Sequence, residues 1–144
     1  MHTSFWEKDA MLNADFIIIG GGLIGLQTAL ELRAQRPHDR IIVLERSLLP
    51  SGASSRNAGF ACFGSLTEIL SDIDHFGDTA AFSLVEQRWR GLQGLRTRLS
   101  DSAMGFEAFG GFELLLPEHM NALDRMDEVN RLLHPLFDSA VFSI

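Results

Sequence analysis

The chain has 144 residues, 46% apolar and 22% charged, with a formal net charge of −7. This is the length of one domain and a globular composition, not a disordered, fibrous or coiled-coil one. An acidic balance repels phosphate backbones and anionic lipid, which disfavours general nucleic-acid binding and a membrane-surface role.

Residues 1–14, MHTSFWEKDAMLNA, read as an N-terminal extension, because charges interrupt the stretch where a secretion signal needs an apolar core. No apolar run along the chain approaches the roughly 20 residues needed to cross a bilayer, so no integral membrane association is expected. Cys62 is the single cysteine, too few for an internal disulfide, and a cytoplasmic location is the expectation.

Phe16 to Ile19 form a short apolar run rich in β-branched side chains, the pattern of a strand buried on both faces. Gly20, Gly22 and Gly25 follow as G-x-G-x-x-G, with Leu23 and Ile24 in the last gap. A helical pattern then runs to about Arg36, where Pro37 disfavours its continuation. In such a turn the first glycine permits the reversal, the second lets backbone approach a diphosphate, and the third lets helix and strand pack closely. Helix-terminal amides and the helix dipole complement the negative ligand.

A second strand, Ile41 to Leu44, leads into Glu45, twenty residues beyond Gly25. A carboxylate there accepts hydrogen bonds from ribose hydroxyls and repels a 2′-phosphate, which disfavours NADP. Arg46 beside it is read as a solvated residue or a phosphate partner. Strand, turn, helix, strand and acid together point to a dinucleotide site, and spacing leaves FAD and NAD both open.

Ser51 to Gly64 reads SGASSRNAGFACFG. Its small residues let backbone approach a flat ligand, and Ser54, Ser55, Arg56 and Asn57 offer donors to phosphate or ring oxygens. DFIIIGGGLIGLQTALEL, IIVLER and PSGASSRNAGF together resemble the FAD-dependent amine and amino-acid oxidoreductases of the D-amino-acid oxidase superfamily, over roughly residues 14–64. The resemblance implies FAD as cofactor, with Gly20, Gly22, Leu23, Ile24 and Gly25 at its diphosphate and Glu45 and Arg46 at its adenosine end. Ala53, Ser54, Ser55, Arg56, Asn57 and Gly59 would lie along the diphosphate or near the flavin. It further implies oxidation of the C–N bond of an amine or amino acid. The alternatives are an NAD-binding dehydrogenase module and a non-catalytic remnant.

Ser65-x-x-Glu68 has the form of a capping box for a short helix ending near Phe76. A longer helix is expected from about Thr79, with Phe82, Val85, Trp89, Leu92 and Leu99 on its apolar face and Arg88, Arg90, Arg96 and Arg98 on a solvated one. Gly91 and Gly94 either weaken that helix or mark close packing. Phe106–Phe109 and Phe112–Leu116 flank Gly110-Gly111 as a candidate hairpin, Pro117 suits a first helical position, and an amphipathic helix runs to the His134-Pro135 break. Ala140 to Ile144 look like the start of a strand. His2, His38, His75, His119 and His134 show no metal-ligand spacing.

The expected fold class is α/β: a Rossmann-like βαβ FAD-binding segment at residues 15–100 with following helices, then the start of an antiparallel substrate domain at 101–144. Two parallel strands leave bare edges, so the expectation is an incomplete fold, with the remainder on a C-terminal portion or a complementing chain. Catalytic residues are not assigned.

Overall fold

The structure, a computed structural model, describes residues 4–144, apart from the side chains of Ala10 and Met11. Met1 to Thr3, His2 among them, lie outside the described residues. The chain divides into two compact units, Met1–Phe60 and Ala61–Ile144, and the division falls inside the Ser51 to Gly64 segment.

The first unit opens with α1, Phe5–Leu12. Ser4 Oγ accepts from Glu7 N–H and Glu7 Oε2 accepts from Ser4 N–H, a complete capping box. Strand β1, Phe16–Ile19, pairs in parallel with β2, Ile41–Leu44, in the register Phe16 to Ile41 through Ile19 to Leu44. Helix α2, Leu23–Gln35, connects them. The return to β2 is fixed by Asp15 Oδ2, which accepts from Arg40 N–H at 2.7 Å, and by Arg33 Nη1, which donates to the Pro37 and Asp39 carbonyls at 2.9 Å. A single βαβ element results, with boundaries matching those expected from the sequence.

None of the described hydrophobic side chains of this unit is fully buried. Ile17, Ile19 and Leu44 stay exposed on the sheet, and Leu23, Ile24, Leu26 and Leu30 on α2. Strands as uniformly apolar as FIII and IIVL are built for cover on both faces. Among the described residues the sheet has no third strand.

The second unit holds the core. Helices α3, Leu66–Phe76, and α4, Asp78–Leu99, pack with a 3-10 segment, Pro117–Arg125, and with α6, Met126–Phe137. A one-turn helix, α5, Asp101–Met104, follows α4. Leu66, Ile69, Leu70, Ile73, Ala81, Val85, Ala122, Val129 and Leu133 are buried together. Phe63, Trp89 and Phe137 pack against one another with ring centroids 4.8 to 5.9 Å apart.

Several expectations for this half are corrected. Ser65 Oγ accepts from Glu68 N–H at 3.3 Å, but the Glu68 carboxylate pairs with Arg88 Nη1 at 2.8 Å, so only half of the expected box forms. Arg88 also donates to the Phe63 carbonyl, and Arg96 forms a two-toothed pair with Asp101 at 2.7 Å while lying 4.5 Å over the Phe106 ring. These arginines anchor neighbouring segments instead of forming a simple solvated face. Gly91 and Gly94 face open space, so close packing does not explain them.

No strand forms at 106–116, where a hairpin around Gly110-Gly111 was expected, nor at 140–144. An isolated hairpin is marginal in water. Instead Glu113 reaches back to the Thr67 hydroxyl and main-chain N–H, and Asn130 grips the last segment: its Oδ1 accepts from Val141 and Phe142 N–H, and its Nδ2 donates to Phe142 O, each at 2.9 Å. Helix α6 runs through Pro135, whose missing N–H forgoes one helical hydrogen bond, and the helix ends two residues later at Phe137.

Candidate functional site

Three segments meet at the N-terminus of α2: the glycine turn after β1, the end of β2 with Glu45, and the short 3-10 turn Ala53–Ser55. Gly20 has φ +105°, a conformation open to glycine alone at little cost, and its N–H donates to Leu44 O at 2.7 Å. Gly22 is the N-cap of α2, and its carbonyl accepts from Leu26 N–H at 2.9 Å. A Cβ at Gly25 would overlap the Gly20 carbonyl oxygen, and one at Gly22 would lie 2.9 Å from Ser54 Oγ. Each glycine of the motif therefore has its own steric reason.

Two side chains reach this turn from elsewhere in the chain. Glu45 Oε2 accepts from Gly21 N–H at 2.8 Å, and Ser54 Oγ accepts from Leu23 N–H at 2.9 Å. The bond from Gly21 N–H, then that from Ser47 N–H at 3.3 Å, hold the exposed Glu45 carboxyl below the usual glutamate range, with a smaller contribution from Arg46. Ser54, which caps α2 from 31 residues away, keeps its own hydroxyl proton for another acceptor.

The rest of the 51–59 segment is held by its own hydrogen bonds. Ser55 Oγ donates to the Pro50 and Gly52 carbonyls at 2.8 and 3.1 Å. Asn57 Nδ2 donates to Ser54 O, and its Oδ1 accepts from Gly59 N–H, both at 2.7 Å. Gly59 takes φ +80°. Arg46, Ala53 and Arg56 are exposed, as is Ile24 in the first turn of α2. The structure thus brings Gly20, Gly22, Leu23, Gly25, Glu45 and Ser54 into one constellation, and gives Ser55 and Asn57 a role in shaping the loop.

The residue that the sequence reading passed over is Gly21. Its amide is the one Glu45 engages, and the signal was there in the unbroken run of three glycines, whose middle member no spacing rule requires. Cys62 and Phe60 are exposed. Among the described residues no group of three or more His, Cys, Asp or Glu could hold a metal, and no helix is long and apolar enough to cross a membrane.

Residues 15–140 match the family described as FAD dependent oxidoreductase, and the chain belongs to it. The cofactor is accordingly FAD, which resolves the choice that spacing alone left between FAD and NAD. No curated protein and no solved structure gives a significant match. The residues present suit a diphosphate: open space where a Cβ would stand at Gly20, the Ser54 hydroxyl beside Gly22, and the Ile24 and Gly25 amides of the first turn of α2, which have no acceptor within the helix.

Proposed function

We propose that this chain supplies the adenosine and diphosphate half of the FAD site in an oxidoreductase acting on the C–N bond of a small amine or amino acid. The observation that carries the site is the convergence of Glu45 and Ser54 on the amides of Gly21 and Leu23. In this reading the diphosphate lies at the N-terminus of α2, within reach of the Gly22 backbone and the Ser54 hydroxyl. The Glu45 carboxylate takes the ribose hydroxyls, and Arg46 and Arg56 add positive charge at the rim.

When bound, FAD supplies a hydride acceptor, so that an amine is oxidised to an imine and water then releases the carbonyl product. The amine substrate class is supported by the G-A-S-x-x-N-x-G element at Gly52 to Gly59 and its resemblance to amine and amino-acid oxidoreductases. Residues 15–100 are proposed as the cofactor-binding segment and 101–144 as the opening of the substrate-binding part. The uncovered strands, with Ile17 and Ile19 exposed, support the addition of further strands from another segment or chain.

The test is purification with FAD present, followed by the visible spectrum and anaerobic addition of an amine and amino-acid panel. Retained yellow flavin is the expected result for this chain, with bleaching by one of these substrates expected once the further strands and substrate-binding part are supplied. Flavin that is retained but bleached only by alcohols or hydroxy acids would overturn the substrate class.

A further inference from the structure

We infer that Glu45 is also a positioning residue for the glycine turn, holding residues 20–22 in ligand-ready shape before FAD arrives; this rests on the reading of that turn as the diphosphate site. The main-chain ladder between β1 and β2 extends one bond past the strands, Gly20 N–H donating to Leu44 O. The next amide, that of Gly21, donates to Glu45 Oε2. Ladder bonds to β2 come from alternate residues of β1, so no β2 carbonyl is due at Gly21; the Glu45 carboxylate meets that amide instead, and the turn is pinned at two successive amides.

Packing agrees with this. Gly21 is buried, and a Cβ there would lie 3.4 Å from both Cβ and Oε2 of Glu45. Three consecutive glycines have the greatest backbone freedom to lose, so an unclasped turn would sample many shapes, and each binding event would have to order it.

One carboxylate can serve both turn and ribose. It offers about four lone-pair sites. Gly21 and Ser47 N–H occupy one on each oxygen, and the remaining two can accept from a ribose diol without releasing Gly21. Aspartate, one methylene shorter, cannot span both tasks, whereas the glutamine carbonyl can still accept from Gly21.

The experiment is amide hydrogen exchange by NMR on the full chain without FAD, comparing the natural protein with Glu45→Ala, Glu45→Asp and Glu45→Gln, alongside the FAD dissociation constant of each from flavin fluorescence. Loss of a hydrogen bond to a charged acceptor is expected to speed Gly21 exchange roughly tenfold in Glu45→Ala and Glu45→Asp. Glu45→Gln should keep most of the protection, and the amides of residues 41–44 should be unchanged in all three. Unaltered Gly21 exchange, or acceleration spread equally over 41–44, overturns the clasp. Weakened FAD binding with unaltered Gly21 exchange leaves Glu45 on the ribose alone. Faster exchange with unaltered FAD binding keeps the hydrogen bond but overturns its part in readying the turn for FAD.

Discussion

Gly25 lies directly against the carbonyl oxygen of Gly20, so closely that even a methyl group on Gly25 would overlap that oxygen while only touching Ile18 Cγ2 at 3.4 Å. The contact fixes how α2 leaves β1, and with it the direction in which the helix amides point.

Gly25→Ala is therefore expected to abolish FAD binding and lower the protection of residues 16–19, because the obstacle is backbone and cannot swing aside. Gly22→Ala should be milder, since its Cβ would meet the Ser54 hydroxyl, a side chain that can rotate. Flavin fluorescence titration orders the two variants, and equal losses would contradict the steric account.

In α4, Gly91→Ala and Gly94→Ala should each stabilise the protein by about 0.5–1 kcal/mol, because a Cβ meets nothing outside the helix and the unfolded chain loses freedom. Thermal melts followed by circular dichroism check this, with the double variant close to additive.

Acid should loosen the second unit. The hydrogen bonds from Arg96 hold the Asp101 carboxyl low, and those from Arg125 do the same for Glu128. At Glu113 burial pushes upward, but hydrogen bonds from Thr67 and Ser65 prevail and the carboxyl is lowered. A carboxyl with a depressed folded pKa contributes fully above its unfolded value, about 4, and that contribution disappears as pH falls through the folded value. Melting temperature should thus be flat near neutrality and fall below about pH 4. Asp101→Asn should flatten that slope, and an unchanged slope would remove the Arg96 pair from the account.

FAD at 100 times its dissociation constant should stabilise whatever binds it by about 2.7 kcal/mol. The added amide protection is expected in residues 16–59 and not in 66–133, where the buried residues already form a core. Hydrogen exchange with and without FAD reads this directly.

The βαβ element was legible because its signals are local. Continuous β-branched runs, a glycine cluster and a proline each restrict the backbone over a few residues, and Phe16–Ile19, Leu23–Gln35 and Ile41–Leu44 follow from them. Hydrogen-bond partners across long separations were not legible: nothing in the order of residues says that Glu45 engages Gly21, or that Ser55 and Asn57 serve their own loop. The arginines of α4 misled for the same reason, since helical spacing places Arg88 and Arg96 on the surface without revealing that Glu68 and Asp101 wait there. The hairpin at 106–116 failed because Gly-Gly permits a turn but supplies no partner strand to make it worthwhile.

All the buried hydrophobic side chains described belong to the second unit, while in the first, which carries the cofactor turn, the strand residues are at most half-buried and α2 exposes Leu23, Ile24, Leu26 and Leu30. The exposed apolar side chains of β1, α2 and β2 give proteases a foothold in the first unit, and digestion there should slow as FAD is added while the second unit is cut at an unchanged rate.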